Sequence, residues 1–168
     1  MSVFPPGSTF KMVAAIAALE EGIITPSTLI SCGGGYTYGR FFKCMGTHGA
    51  INVYRAIEKS CNTFFYSLIF RVGIDKWYDY AFKLGFGHKT DIDIDEESGG
   101  LIPNSQYYEK RYGKNWPKSI KASLVVGQGE VSVTPVQLAL YTALIANRGK
   151  TFLPHFAKGY LDNETKEF

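Results

Sequence analysis

Residues 5–21 read PPGSTFKMVAAIAALEE, and this stretch decides the fold. After Lys11 the run is apolar on nearly every side, a pattern typical of a helix that is buried all round. A Pro-Pro-Gly turn precedes the run, and Gly22 follows it as a favourable residue after a helix end. The stretch therefore predicts a buried central helix from about Ser8 to Glu21.

The tetrad Ser8-Thr9-Phe10-Lys11 opens this helix and has the form S-x-x-K. Side chains at this spacing share one face of a helix. A serine hydroxyl needs an adjacent base to become a nucleophile, and lysine is such a base when burial and a helix N-terminus disfavour its charge. The Ser8 backbone N–H would also lie where an oxyanion develops. The tetrad favours serine acyl transfer, and the alternative is a chance match.

A second polar group, Ser60-Cys61-Asn62, lies at a predicted break between two helices and has the form S-x-N. A serine hydroxyl at such a break can relay a proton to a leaving amine. An asparagine can donate to a substrate carbonyl and also hold the lysine. The alternative is a pair of helix-capping residues, since Ser and Asn favour helix N-termini.

The rest of the chain is predicted to be mostly helical, with a Gly- and Tyr-rich irregular excursion from Cys32 to Gly49. Alternating polar and apolar residues predict a short strand, and Gly-Gly and Pro predict a turn or hairpin after it. The predicted helices cover 52–59, 62–71, 75–84, 107–112 and 134–147, the strand covers 91–95 and the turn covers 98–103. Gly127-Gln128-Gly129 predicts a structural turn, and no run supplies a central sheet.

Composition limits the possible functions. The chain has 168 residues, about one domain, and 45% of them are apolar, which is enough for a sizeable core. The net charge is +3 without clustering of basic residues, so nucleic acid is not an expected partner. The sequence shows neither a secretory apolar segment at its start nor a long uncharged apolar run.

The two motifs and their flanks resemble the penicillin-recognising serine enzymes, whose signatures are S-x-x-K, S-x-N and K-[ST]-G. The segments PPGSTFKM, SCNTFFY and GQGEVSVTPVQLAL look like class B penicillin-binding proteins, above all the penicillin-binding protein 2 group of cell elongation. The resemblance covers the chain from Pro5 to about His155. It implies the α/β β-lactamase/transpeptidase-like fold and a peptidoglycan D,D-transpeptidase.

The resemblance also implies a role for each motif residue. Ser8 would attack the carbonyl between two D-alanines of a stem peptide, and Lys11 would take the Ser8 proton. Ser60 would pass a proton to the departing D-alanine, and Asn62 would orient the acyl amide. β-Lactams would acylate the same serine, and no organic cofactor is required.

The same family implies a cellular setting for the full-length protein. Such a protein would be anchored in the inner membrane, with the transpeptidase domain in the periplasm. Its partners would be peptidoglycan stem peptides, β-lactams and a membrane glycosyltransferase of the elongation complex.

One departure from the family pattern concerns the third motif. Lys89-Thr90 is followed by Asp91, and Lys150-Thr151 by Phe152, so neither pair belongs to a K-[ST]-G. The expectation is therefore a partial transpeptidase domain over residues 1–168, from S-x-x-K to just before K-[ST]-G. It would be a mostly α fragment with the central antiparallel sheet largely missing. The isolated chain is expected to be inactive or slow.

Two other functions stay open at this point. A serine β-lactamase shares Ser8 and Lys11, but the E-x-x-L-N segment that places a hydrolytic water in one class of these enzymes is absent. A non-catalytic penicillin-binding sensor or assembly partner is favoured by the missing third motif. The presence of Ser8, Lys11, Ser60 and Asn62 together argues against such a loss of the site.

A separate cluster consists of Cys32, Cys44, His48 and Cys61, with the spacing C-x₁₁-C-x₃-H-x₁₂-C. Four such ligands fit a tetrahedral structural Zn²⁺, and the Gly-rich excursion has little core of its own to hold it in place. Some members of the penicillin-binding protein 2 group carry zinc beside the active site, so the resemblance agrees. The alternatives are a Cys32–Cys44 disulfide, possible outside the cytoplasm, or three unrelated cysteines.

Overall fold

The computed structural model describes residues 1–159, and helices dominate it, as the sequence predicts. Single 3₁₀ turns at Gly7–Phe10 and Lys118–Ile120 lead into α1 and α6. The helices are α1 Lys11–Glu20, α2 Val53–Glu58, α3 Asn62–Val72, α4 Ile74–Lys83, α5 Ser105–Tyr112, α6 Lys121–Val125 and α7 Pro135–Ala146. The predicted helices are confirmed to within a few residues at their ends, and α6 is an addition.

Helix α1 lies in the centre of the core. It packs against α3 and α4 most extensively and also against α2 and α6. Its alanines, among them Ala14, Ala17 and Ala18, are fully buried, and their small side chains let the neighbouring helices approach closely. Phe10, at the head of the helix, makes edge-to-face contacts with other buried rings. The helix start that carries Ser8 and Lys11 is therefore held rigidly.

Side-chain caps begin three of the predicted helices, and the cap of α5 is Asn104, which accepts the Tyr107 N–H. Asn52 accepts a hydrogen bond from the Arg55 N–H at the start of α2. Thr134 and Gln137 form a reciprocal capping box at the start of α7, with Pro135 in the first turn. The starts of α2 and α7 agree with the sequence, because Asn, Thr and Pro have well-defined roles at helix N-termini.

The region from Cys32 to Gly49 corrects the sequence prediction, since it is not irregular. It belongs to two nested antiparallel pairs. The strands are β1 Ile30–Cys32 with β4 Gly49–Ile51, and β2 Gly35–Tyr38 with β3 Arg40–Lys43. Frequent glycines hid these strands, although Tyr36 and Tyr38 alternate as strand residues do.

The region from Asp91 to Asp95 is a second correction, since no strand forms there. Asp91 has a φ of +58°, which an extended strand does not allow. The buried Glu97 carboxylate accepts hydrogen bonds from the N–H groups of Thr90 and Asp91 at 2.9 and 3.0 Å. The loop curls around this carboxylate, so the alternation of residue types there does not reflect a pleat.

Beyond these strands, extended pairing among residues 1–159 is limited to isolated bridges. Phe4 pairs with Val133, and Leu101 pairs with Ser132. The first bridge joins the segment before Ser8 to the segment before α7. Within the same residues, no helix combines the length and apolar character needed to cross a membrane.

Candidate active site

The structure brings Ser8, Lys11 and Ser60 into direct contact. The Lys11 Nζ atom donates to Ser60 Oγ at 2.7 Å and to the Ser60 carbonyl oxygen at 2.8 Å. The Ser60 hydroxyl donates to Ser8 Oγ at 3.1 Å. Ser60 thus lies between the other two side chains, and a continuous hydrogen-bonded path joins the lysine to the exposed Ser8 hydroxyl.

The order of contacts in this path corrects the direct transfer from Ser8 to Lys11 that the sequence predicts, because Ser60 lies between the two. Within the described residues, the hydrogen bonds of the Lys11 ammonium go to Ser60, and none reaches Ser8 directly. None connects Lys11 to Asn62 either, so the lysine-holding role of Asn62 has no support in this geometry. A proton leaving Ser8 would reach Lys11 through the Ser60 hydroxyl.

Local backbone geometry sets the position of Ser60. Its φ of +49° places it in the left-handed region, at the break between α2 and α3. The N–H of Ser60 bonds to Ile57 O at 3.0 Å and the N–H of Cys61 to Ala56 O at 2.9 Å, closing the end of α2. This tight reversal turns the Ser60 side chain towards α1. The next helix, α3, begins at Asn62, with Cys61 as its N-terminal cap residue.

A glycine pair sets the position of Ser8. The Gly7 N–H donates to Gly127 O at 2.9 Å. A Cβ added at Gly127 would lie 2.2 Å from Gly7 O, and the φ of Gly127 is +69°. Only glycine allows this close approach. The predicted structural role of the Gly127-Gln128-Gly129 turn is therefore to hold the residue before the serine.

Lys11 is a buried lysine, with 3% of its surface exposed. Burial lowers its pKa, because the interior disfavours the charged ammonium. The nearby Cys44 and Cys61 sulfurs act in the opposite direction and raise it. The net shift of the pKa is downward, so Lys11 is neutral, and able to act as a base, at a lower pH than an exposed lysine.

The serine lies in an open cleft of about 470 Å³. Besides Ser8, Ser60 and Asn62, the cleft is lined by Met45, Lys59, Tyr66, Val126 and Gln128. These five were not identified from the sequence. Tyr66 had a usable signal, because it lies four residues after Asn62 and therefore on the same face of α3. Met45 had none, since its position depends on the loop between β3 and β4.

Cys32, Cys44, His48 and Cys61 converge on one point. Their ligand atoms all lie within 4.8 Å of one another. The His48 Nδ1 atom is 3.4 Å from Cys32 Sγ and 3.7 Å from Cys44 Sγ, and Cys44 Sγ is 3.8 Å from Cys61 Sγ. All three cysteines are buried free thiols, so the Cys32–Cys44 disulfide is not formed in this structure. Three sulfurs and one imidazole nitrogen make the donor set of a structural zinc site.

The thiols in this cluster differ in acidity. Burial pushes the pKa of Cys44 up, but hydrogen bonds from the Gly46 and Thr63 backbone and the Thr63 hydroxyl outweigh it and bring the pKa to about 6. Burial raises the pKa of Cys61 to about 12. One thiol is thus prepared as an anion, and the other needs a cation to lose its proton.

The cluster is adjacent to the cleft because its ligands come from segments that form the cleft. Cys61 lies between Ser60 and Asn62, while Cys44 and His48 flank Met45 on one short loop. The His48 N–H also donates to Cys32 O at 3.2 Å, which ties the loop to β1. A group bound at the cluster would hold Ser60, Asn62 and Met45 in place together.

A serine at the head of a buried helix is joined to a lysine of the same turn through a second serine, and this arrangement suits serine acyl transfer. The arrangement is that of the penicillin-recognising enzymes. The chain belongs to the penicillin binding protein transpeptidase domain family, which it matches over residues 1–167.

Similar proteins agree on the branch of this family. The peptidoglycan D,D-transpeptidase MrdA of Acinetobacter baumannii is 39% identical over 159 residues, covering 91% of this chain. The structure of penicillin-binding protein 2 from Pseudomonas aeruginosa superposes with a TM-score of 0.87 at 34% identity, covering 94% of this chain and 37% of that one. The penicillin-binding protein 2 of Helicobacter pylori, solved as a complex with MreC, gives 0.87 at 32% identity, covering 99% and 31%. This chain is therefore a segment of a class B penicillin-binding protein, most like penicillin-binding protein 2.

The matches cover unequal shares of the two partners. The chain spans 24% of the length of the Acinetobacter relative.

Proposed function

We propose that this chain supplies the nucleophile and its proton relay to a peptidoglycan D,D-transpeptidase. The observation that carries the proposal is the unbroken path from Lys11 through Ser60 to Ser8. An active serine needs a base within hydrogen-bond reach, directly or through one intermediate group. The resemblance to MrdA supplies the substrate class, D-alanyl-D-alanine stem peptides.

The first half of the reaction forms an ester on Ser8. The Ser8 hydroxyl passes its proton to Ser60 Oγ, and Ser60 passes its own proton to the neutral Lys11 amine. Ser8 Oγ then bonds to the carbonyl carbon between the two D-alanines, and its backbone N–H stabilises the resulting oxyanion. The C–N bond breaks, and the departing D-alanine amine takes the proton back from Lys11 through Ser60.

The second half transfers the acyl group. The amine of a neighbouring stem peptide attacks the Ser8 ester and gives a proton to the same relay. The new amide forms as the bond to Ser8 Oγ breaks and Ser8 regains its hydrogen. Asn62, which lines the cleft, donates to the acyl amide and fixes its orientation in both halves.

The K-[ST]-G strand and the central sheet of the complete domain would supply a second oxyanion donor and a substrate-carboxylate contact. A single oxyanion donor contributes about 10²–10³-fold in rate. We therefore expect the isolated chain to acylate at least that much more slowly than a protein in which the chain is joined to this strand.

The four-ligand cluster fits a structural Zn²⁺ held by Cys32, Cys44, His48 and Cys61. With four protein ligands no coordination position stays open for a catalytic water. When bound, the ion would provide a rigid cross-link and charge neutralisation of the thiolates. The chain's own part is to hold the loop that carries Met45 against the turn that carries Ser60.

The cellular setting is proposed from the resemblance to penicillin-binding protein 2. A full-length protein of this kind would be anchored in the inner membrane with this domain in the periplasm. We propose a membrane glycosyltransferase of the elongation complex as its partner, since transpeptidation needs newly made strands. The complex of MreC with the Helicobacter relative supports a place in a cell-shape assembly.

A chimera tests the reaction type. This chain replaces the matching segment of the Acinetobacter MrdA, and the purified chimera is mixed with the chromogenic β-lactam nitrocefin. A transpeptidase gives a burst of about one equivalent and then slow turnover, because its acyl-enzyme is long-lived. Rapid sustained hydrolysis would instead show a β-lactamase, and absence of any burst would show a non-catalytic sensor.

A further inference from the structure

Two thiols of the cysteine cluster lie directly beside each other. The Sγ atoms of Cys44 and Cys61 are 3.8 Å apart. Both thiols are free, and the two residues are 3% and 0% exposed. A disulfide bond is about 2.05 Å long, so the sulfurs need to approach by less than about 2 Å to become bonded. The pair is therefore arranged as a dithiol that a single two-electron oxidation can close.

The third cysteine of the cluster has different neighbours. The Cys32 Sγ atom lies 3.3 Å from Thr63 Oγ1 and 3.4 Å from His48 Nδ1. These contacts hold the Cys32 sulfur beside the hydroxyl and the imidazole. The geometry therefore favours a bond between Cys44 and Cys61 over the Cys32–Cys44 pairing that the sequence left open.

The two thiols of the pair belong to different kinds of segment. Cys61 is the N-terminal cap residue of α3, and its N–H donates to Ala56 O at 2.9 Å, at the end of α2. Cys44 follows β3 and opens the short loop that leads to His48. Met45 in this loop is 84% exposed, so the loop lies at the surface while the pair lies just beneath it. A rotation of the Cys44 side chain with a small movement of the loop would bring the sulfurs together and leave the helices in place.

We propose that Cys44 and Cys61 are a redox pair that closes to a disulfide when the metal-free chain meets a hydroperoxide. One thiol cleaves the O–O bond of the peroxide and becomes a sulfenic acid, and the first water is released. The other thiol attacks the sulfenic sulfur, so the S–S bond forms and the S–O bond breaks, releasing a second water. The peroxide gains two electrons and the two thiols lose two. This chemistry uses neither the serine cleft nor a bound metal.

The disulfide and a metal ion would exclude each other at this cluster. The bond takes up two of the four ligands, and Cys32 and His48 alone do not complete a tetrahedral site. The same bond would tie the β3–β4 loop to the turn that carries Ser60, the two segments that a bound ion would also join. Oxidation would therefore keep the loop attached to this turn in a chain that carries no metal.

Peptide mapping of the oxidised chain tests the pair. The full chain is reduced, stripped of metal with a chelator and treated with hydrogen peroxide, and free thiols are alkylated before digestion without reductant. We expect oxidation to lower the intact mass by about 2 Da, the loss of two hydrogens. The digest should contain a peptide cross-linked through Cys44 and Cys61 and an alkylated Cys32, and dithiothreitol should reverse the cross-link.

Unfolding and substitution provide the controls. Oxidation in guanidinium chloride should give a mixture of all three pairings, because unfolding removes the contact between the two sulfurs. Cys32→Ser should keep the cross-link, whereas Cys61→Ser should lose the fall in mass and leave Cys44 to oxidise further to a sulfinic acid. Metal analysis of the wild type should show that Zn²⁺ uptake is lost on oxidation and returns on reduction.

The absence of a cross-link in the folded wild type, or a cross-link that runs mainly through Cys32, overturns the redox pair. The same mixture of pairings in the folded and the unfolded chain overturns it as well, because the fold would then not select the partners. Uptake of Zn²⁺ by the oxidised chain contradicts the exclusion of the metal. A Cys44–Cys61 cross-link in a chain that takes up no Zn²⁺ when reduced supports the pair and sinks the zinc site alone.

Discussion

At the level of single residues, Ser60 holds the position on which the proton path depends. It is the only group that touches both Ser8 Oγ and Lys11 Nζ among the hydrogen bonds of residues 1–159. Its φ of +49° shows that the chain accepts a conformation unusual for a non-glycine residue to put the hydroxyl there. The relay is therefore open to a direct mutational test.

Ser60→Ala in the chimera should lower the rate of acylation by a fluorescent penicillin about 10²–10⁴-fold, the usual contribution of general acid–base catalysis. The change removes the link between Ser8 and Lys11 and leaves both end groups in place. Stopped-flow labelling measures the rate, with Ser27→Ala as the control for an exposed hydroxyl on another loop. A rate within threefold of wild type would show that Lys11 acts on Ser8 without Ser60.

The protonation state of Lys11 predicts a pH profile. Burial lowers its pKa, so the neutral base is present at a lower pH than for an exposed lysine, whose pKa is about 10.4. Below the Lys11 pKa the ammonium cannot accept a proton and acylation is slow; above it acylation is fast. The rate of the chimera should rise with pH to a midpoint below about 10.4. Lys11→Arg, which stays charged, should be slow throughout, and a flat wild-type profile would contradict a lysine base.

At the level of elements, residue types predicted the helices well. Caps such as Asn52 and Thr134 bond to residues of the same helix, and a run that is apolar on every side, such as α1, indicates a buried helix. The strands between Ile30 and Ile51 were missed because their pairing is set by partners far along the chain, and glycines interrupt the alternation. The strand predicted at Asp91 failed because a buried carboxylate, Glu97, reorganises the loop.

For the candidate site, the sequence predicted which residues take part but not the order in which they contact one another. The motif residues and the cysteine cluster follow from residue type and spacing. The order Lys11–Ser60–Ser8 does not, because it depends on how α1 meets the α2–α3 break, 49 residues apart in sequence. The cleft residue Met45 is also fixed by tertiary contacts alone.

The close contact between the Gly7 and Gly127 turns predicts that a side chain at Gly127 lowers the reactivity of Ser8. Gly127→Ala would place a Cβ 2.2 Å from Gly7 O, which must push the turn before Ser8 out of position. We expect a loss of at least tenfold in Ser8 labelling of the chimera, since a small displacement of a reacting group costs about 10²-fold. Gly113→Ala is the matched control, because its φ is also positive, at +75°, and its Cβ would meet open space. Equal effects of the two changes would show that strain alone, and not the contact, is responsible.

At the level of the whole molecule, the cluster of Cys32, Cys44, His48 and Cys61 joins segments that are separate in the fold. It gathers β1, the β3–β4 loop and the start of α3 behind the serine cleft. A ligand that binds only the folded chain stabilises it in proportion to its affinity and concentration. Zinc should therefore act on the stability of the entire chain.

One equivalent of Zn²⁺ should raise the unfolding temperature of the isolated chain, and a chelator should reverse the rise. His48→Ala should abolish the shift, because it removes the single imidazole ligand. His155→Ala, a change at an exposed histidine away from the cluster, should retain it. Differential scanning calorimetry with metal analysis of the same samples measures both. No shift in the wild type, or an equal shift in both variants, would contradict the zinc site.

Helix α7 shows a surface that residues 1–159 leave largely uncovered. Its sequence is mainly apolar, yet the buried residues of the helix are Gln137 and Tyr141. Ile145 lines an apolar groove together with α1 residues such as Met12 and Ile16. We predict that an apolar face of this kind packs against further structure in a full-length transpeptidase.

The position of the acyl group tests the central claim most directly. The chimera is treated with a penicillin, digested, and examined by mass spectrometry for the peptide that carries the drug. We expect one modified residue, Ser8, and no labelling in Ser8→Ala. Label on any other residue, or undiminished labelling of Ser8→Ala, would contradict the claim that this chain provides the acylated serine.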